Sequence, residues 1–282
     1  MRPIFSLLVV IFLLITSCQN SQEKITSVKS ADGVNISLTD NGTGEPALIF
    51  VHGWCCDKTY WDKQVKYFSK NYRTVAVDLA GHGSSGIDRE NYTIQLYGED
   101  IAAVIKKLDL KKVILIGHSM GGYVIIETAN HFPDKIVGLV GADTFQDLQA
   151  EYTEEQKEMY FAPFRQNFKD HCPEFVEGMF PPNADSTLVN KIVTDMCSAP
   201  ERVALSSFEN LVDYDAISSV RKIKAPVFAI NADLWPTNVE GNKEIVESFQ
   251  VRVIEGIGHF VMNENPDKFN QLLSEIIESI LK

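Results

Sequence analysis

The sequence predicts an α/β fold: a mostly parallel sheet flanked by helices, with a helical cap inserted into it. Three observations predict it. Ala47–Val51, Thr74–Val77, Val113–Ile116 and Ile136–Val140 are short apolar runs without polar alternation, the pattern of strands buried on both faces. Helix-length segments separate them, notably Ile94–Leu108, where Ile101, Val104, Ile105 and Leu108 recur at helical spacing. The alternation stops near Phe145 and resumes at Pro226-Val227-Phe228-Ala229-Ile230, leaving an interval too long to be a structureless loop in a compact domain.

Taken in order, the first element is an address. Arg2 precedes an apolar stretch, Ile4–Ile15, broken only by Ser6, and Ile15-Thr16-Ser17-Cys18 follows, so residues 1–17 have the layout of an export signal and are short for a membrane span. The ending resembles a bacterial lipoprotein signal, which implies that Cys18 becomes the first mature residue and carries lipid. Residues 18–24 are then a polar tether, and the mature protein is expected outside the cytoplasm on a membrane surface. Ile25–Thr39 alternates around Ala31-Asp32-Gly33 and reads as a strand pair joined by a turn. Residues 25–144 and 221–282 form the predicted core, closing with a strand at Val251–Ile254 and a helix over about Pro266–Leu281. Residues 145–220 form the cap, read as short amphipathic helices because Pro163, Pro173, Pro181 and Pro182 interrupt a segment rich in Phe and Tyr. Those rings either wall an apolar substrate site or pack the cap itself, and composition does not separate the two.

A net charge of −12 over 282 residues leaves no basic patch to neutralise phosphates, so nucleic acid is not an expected partner; a small-molecule substrate is. With Cys18 set aside, Cys55, Cys56, Cys172 and Cys197 remain. An oxidising compartment permits a Cys172–Cys197 bridge, whereas the adjacent pair points to packing. No CxxC pair or His cluster has metal-ligand spacing, and neither a metal nor a cofactor is expected.

The chemistry concentrates in Gly117-His118-Ser119-Met120-Gly121, a G-x-S-x-G run between a buried strand and an apolar helix. That context lifts a serine hydroxyl above the sheet on a tight strand-to-helix turn, which marks Ser119 as the candidate nucleophile. Such a hydroxyl needs a base within hydrogen-bond reach. His259, in the loop after the last predicted strand, is the candidate; His131 and His171 fit a helix end and the cap surface. The acid that orients the imidazole stands after one of two strands: Asp233 is preferred, Asp143 is the alternative, and Asp215 and Glu255 stand behind them. Met120, following the nucleophile, and Trp54, in the loop after an earlier strand, are the candidate backbone donors of an oxyanion hole. Trp54, His118, Phe145 and Phe260 flank these positions and are the expected substrate contacts.

With these residues in place, the sequence resembles the α/β-hydrolase superfamily from about Ile25 to the C-terminus. The likeness rests on His52-Gly53-Trp54, Asp78-Leu79-Ala80-Gly81-His82-Gly83-Ser84-Ser85, the Ser119 turn and Gly258-His259-Phe260, in the family's order. The resemblance implies acyl transfer to water, because members with a carboxylate at the turn are the dehalogenases and epoxide hydrolases. An ester is the expected substrate; a lactone, thioester or amide would use the same groups, and a ligand-binding protein that kept the fold is the alternative. One departure stands out. Asn231-Ala232-Asp233-Leu234-Trp235-Pro236 lacks the glycine that usually precedes an acid at this place and sets Asp233 early, and some members carry the acid one strand before.

Overall fold

The computed structural model describes residues 24–282. The export signal at 1–17 and the tether with Cys18 lie outside the described residues, except Lys24, which opens the first strand. The strands are β1 (Lys24–Lys29), β2 (Asn35–Asn41), β3 (Ala47–Val51), β4 (Arg73–Val77), β5 (Val113–His118), β6 (Ile136–Ala142), β7 (Val227–Ala232) and β8 (Gln250–Ile254). They form one sheet in the order β1-β2-β4-β3-β5-β6-β7-β8. The β1–β2 and β2–β4 pairs are antiparallel and all the others parallel. Every residue of β3 and β5 is buried, as unbroken apolar runs require when helices cover both faces. β8, at the edge, is largely exposed.

α1 (Asp62–Phe68) joins β3 to β4, α2 (Ile94–Lys107) joins β4 to β5, and α3 (Met120–His131) joins β5 to β6. From β3 the chain steps outward to β4, then crosses back to β5 on the other side of β3. The loops leaving β3 and β5 therefore diverge from neighbouring strand tips, which opens a crevice at the carboxyl ends of the strands. Trp54 follows β3 and Ser119 follows β5, so the topology alone brings these two segments to one crevice.

Between β6 and β7 lie α4 (Glu154–Glu177), α5 (Ser186–Cys197), α6 (Glu201–Val212) and α7 (Ala216–Val220). Thr153 and Gln156 form a capping box at the start of α4. The helix loses helical geometry at Asn167, between Pro163 and Pro173, and bends there. A disulfide joins Cys172 to Cys197, tying the end of α4 to the end of α5, while Cys55 and Cys56 are free and buried. Phe164, Phe168, Phe175 and Phe208 surround the indole of Trp54 with ring centroids 5.1–6.2 Å away, and its Nε1–H donates to Ala204 O at 2.8 Å. These four rings thus pack the cap to the core, while Tyr152 and Tyr160 stay on its surface. After β7, α8 (Val239–Ile245) leads to β8, and α9 (Val261–Glu264) and α10 (Pro266–Ile280) close the chain, α10 against α1 and the sheet.

Candidate active site

Ser119 stands alone between the end of β5 and the start of α3, with φ 51° and ψ −119°. A residue with a side chain rarely holds this backbone conformation, and it persists only where its surroundings over-determine it. Here Ser119 N–H donates to Ala142 O on β6 at 3.1 Å, and Gly122 N–H donates to Ser119 O at 2.9 Å. The neighbouring glycines answer to space. A Cβ on Gly117 would collide with the carbonyl of Gly121, and one on Gly121 would come within 2.6 Å of the carbonyls of Val51 and His52. The turn is tight because α3 starts directly against the tip of β3.

His259 reaches this turn from the far edge. Its loop leaves β8, the edge strand, and returns over the tips of β7 and β6 toward β5, roughly three strand spacings or ~14 Å. Backbone groups on both sides of the imidazole are fixed: Gly258 N–H and Phe260 N–H donate to the two carboxylate oxygens of Glu264 at 2.9 and 3.1 Å. His259 N–H donates to Met179 O of the cap at 2.9 Å, and His259 O accepts from His118 Nε2 at 3.0 Å. Burial raises the Glu264 carboxyl above its ordinary range, opposed by those two amides.

The imidazole meets Asp143, not Asp233. His259 Nδ1–H donates to Asp143 Oδ2 at 2.6 Å, and Asp143 Oδ1 accepts from Ala232 N–H at 2.7 Å. The preferred acid of the sequence reading is thereby corrected to its alternative. The chain turns at Asp143 with φ 45°, directly at the tip of β6, the strand next to the one that carries Ser119. Asp233 follows β7, one strand farther out; it is exposed, and its carboxylate accepts from Gly256 N–H at 2.8 Å. With the Nδ1 proton facing Asp143, Nε2 of His259 carries the lone pair.

Ser119, Asp143 and His259 line one pocket of about 240 Å³ together with Met120, Tyr123, Thr144, Gln146, Leu211 and Trp235. Among the described residues, no acceptor takes the backbone N–H of Met120 or of Trp54, the two expected oxyanion donors. The expected substrate contacts fare differently, since Trp54, His118, Phe145 and Phe260 are absent from this lining. Trp54 is enclosed by the cap rings. His118 turns under the strand tip, as the residue before such an elbow must, and packs on the rings of His259 and Phe260. Phe145, with φ 60°, points down onto Tyr123, and Phe260 stacks on Phe180 at 5.1 Å. All four are buried. The lining residues missed in the sequence are Tyr123, Thr144, Gln146, Leu211 and Trp235. Trp235 is 40% exposed and sets its ring edge-on to His259 at 5.5 Å; a tryptophan just beyond a strand tip was the available signal.

The other histidines near the crevice are structural. His52 Nδ1–H donates to Gly53 O at 2.8 Å while Nε2 accepts from Leu79 N–H at 3.0 Å. Burial lowers the basicity of His52 and His118 and pushes His82 down to about 3, so all three are neutral. A larger cavity of about 590 Å³ lies beyond the Trp54 loop, lined in part by Cys55, Cys56 and His82, and holds none of Ser119, Asp143 and His259. Among the described residues, no group of His, Cys, Asp and Glu side chains is arranged to hold a metal ion.

Residues 48–272 match the model of the alpha/beta hydrolase family. The chain is 26% identical over 272 residues to a non-heme haloperoxidase of Rhodococcus erythropolis, covering 89% of this chain and 99% of that protein. It is 26% identical over 243 residues to 3-oxoadipate enol-lactonase 2 of Acinetobacter baylyi, covering 83% and 89%. A thermophilic esterase from Thermogutta terrifontis superimposes with a TM-score of 0.79 at 21% identity, covering 91% of this chain and 99% of that one. With the family's span running from β3 into α10 and enclosing every residue of the pocket, the chain belongs to the alpha/beta hydrolase family.

Proposed function

We propose that the protein is a serine hydrolase that cleaves a carboxylic ester, or a related acyl bond, of a small and largely apolar substrate through an acyl-enzyme. The observation that carries this reading is Ser119 on its strained turn, in one pocket with an imidazole whose Nδ1–H is held by Asp143 at 2.6 Å. In the proposed reaction His259 Nε2 takes the Ser119 proton as Oγ bonds to the substrate carbonyl carbon. The oxyanion that forms is met by the N–H groups of Met120 and Trp54, each such donor lowering the barrier by about 2.7–4 kcal/mol. The imidazolium, stabilised by Asp143, returns the proton to the leaving oxygen, and water repeats the sequence to release the acid. Hydrogen peroxide in place of that water would release a peracid from the same intermediate.

Pocket chemistry supports a neutral acyl group. Among the described residues, the lining holds no Lys or Arg to meet a charged acyl group. The test is labelling by a fluorophosphonate together with turnover of p-nitrophenyl esters of increasing acyl length. Labelling and turnover that vanish in Ser119→Ala support the hydrolase, and an unlabelled parent chain supports a ligand-binding protein instead.

We further propose that the enzyme is exported and held to a membrane by lipid on Cys18. The Cys172–Cys197 bridge supports an oxidising compartment. Metabolic labelling with a fatty-acid analogue, present in the parent and lost in Cys18→Ser, tests it.

A further inference from the structure

The histidine loop has one polar contact outside the core. Gly258 N–H, Phe260 N–H and His259 O are all met from core elements, whereas His259 N–H is met by Met179 O in the turn between α4 and α5. The approach is close. A Cβ on Gly258 would collide with that carbonyl and come within 2.9 Å of Phe180 Cα. The next residue of each segment adds a second contact, the rings of Phe180 and Phe260 lying stacked at an interplanar angle of 17°. The turn that makes both contacts sits inside the 25-residue span closed by the Cys172–Cys197 disulfide.

We propose that this disulfide-closed segment of the cap positions His259, holding its imidazole in register with Asp143 and Ser119 through the Met179 carbonyl and the Phe180 ring. The inference rests on the proposed role of His259 as base. Physically, a loop that has crossed the tips of β7 and β6 is long enough to sag away from the elbow. Glu264 fixes its shape from within, since it belongs to α9, which the loop itself leads into. Met179 and Phe180 fix its height over the sheet, because α4 and α5 are anchored independently through the Trp54 ring cluster and the disulfide. Met179 and Phe180 are therefore positioning residues: neither is among those lining the pocket.

Phe180→Ala, Phe180→Tyr and the paired change Cys172→Ser with Cys197→Ser, each in the full chain, test this with two readouts. The first is kcat, KM and the pH profile of kcat/KM with p-nitrophenyl acetate. The second is the low-field proton resonance of His259 Nδ1–H, assigned by its loss in Asp143→Asn. The expected result for Phe180→Ala is a kcat lower by on the order of 10- to 100-fold, the cost of an ångström-scale misplacement. KM should stay within about twofold, the limb of the pH profile that reports His259 should move, and the proton resonance should broaden or shift. Phe180→Tyr, which keeps the stacked ring, restores all of these, and the paired serine variant falls between. Where Phe180→Ala does not fold, Phe180→Leu carries the same expectation. Folded variants with parental kcat and an unmoved resonance overturn the proposal. A parent chain that shows the resonance but turns over no ester would instead count against the hydrolase reading and leave the positioning role to be decided by the resonance alone.

Discussion

Asp143 and His259 are 116 residues apart in the chain and joined by a 2.6 Å hydrogen bond from Nδ1 to Oδ2. The bond links the tip of β6 to a loop arriving from the opposite edge of β7, and Asp143 Oδ1 is fixed in turn by the Ala232 amide at the end of β7. Asp143→Asn replaces the acceptor oxygen with an amide that favours the wrong imidazole tautomer, so kcat is expected to fall by on the order of 10⁴-fold. Asp233→Asn alters an exposed contact with Gly256 and is expected to leave kcat within a few fold of the parent. Ester hydrolysis by the two purified variants checks both; equal losses would remove Asp143 from the reaction.

Gly121 sits where α3 meets the tip of β3, with a hypothetical Cβ within 2.6 Å of the Val51 and His52 carbonyls. Backbone oxygens cannot swing aside as a side-chain end would. Gly121→Ala is expected to lower stability by roughly 1–3 kcal/mol, the usual cost of overpacking. Its activity should drop by more than that stability loss explains, because the elbow moves with the helix. Urea unfolding and kcat/KM at a temperature where the variant remains folded separate the two effects.

The indole of Trp54 anchors four cap phenylalanines and donates to Ala204 O. Trp54→Ala is expected to cost roughly 3–5 kcal/mol. Protease nicking should appear first between 154 and 212, where α4 and α6 lose their shared seat. Cleavage confined to the sheet domain would show that the cap is held by other contacts.

His52, His82 and His118 are neutral in the fold because burial opposes their charged forms. Once unfolded they titrate near 6.5, so below that pH the unfolded chain binds protons the folded chain refuses. The stability they contribute is whole above about pH 6.5 and is lost as the pH falls toward their folded values, about 3 for His82. The slope is about 1.4 kcal/mol per pH unit for each histidine fully engaged. Urea titrations between about pH 7.5 and pH 5 measure it, and His82→Gln should reduce the slope by one proton.

The sheet and the tight turn at Ser119 were legible because their signals are local. Val113–Ile116 followed by Gly117-His118-Ser119-Met120-Gly121 encodes buried strand, tight turn and apolar helix within a few residues, and the structure has β5, Ser119 and α3 there. Which aspartate meets His259 was not legible, because Asp143 and Asp233 both follow apolar strands that end at the same edge of the sheet. What distinguishes them is how far each strand tip lies from β5 and which way the next residue turns. The φ of 45° at Asp143 is a tertiary outcome with no glycine or asparagine to announce it. The substrate contacts failed for a related reason. Proximity in sequence to Ser119 and His259 placed His118 and Phe260 near the chemistry, but a reversal of the chain at each site sends the adjacent side chain into the core. Leu211 lines the pocket from a cap helix that no motif marks.

The sulfur–sulfur bond between α4 and α5 makes the manufacturing history of any sample part of its chemistry. Chain produced in a reducing cytosol carries thiols at 172 and 197, and the entropy of that 25-residue loop, roughly 3–4 kcal/mol in the chain-entropy picture, is then no longer subtracted from the unfolded state. Two preparations identical in sequence and mass to within two hydrogens would melt at different temperatures, and only the oxidised one would have the sulfur bridge that ties the end of α4 to the end of α5.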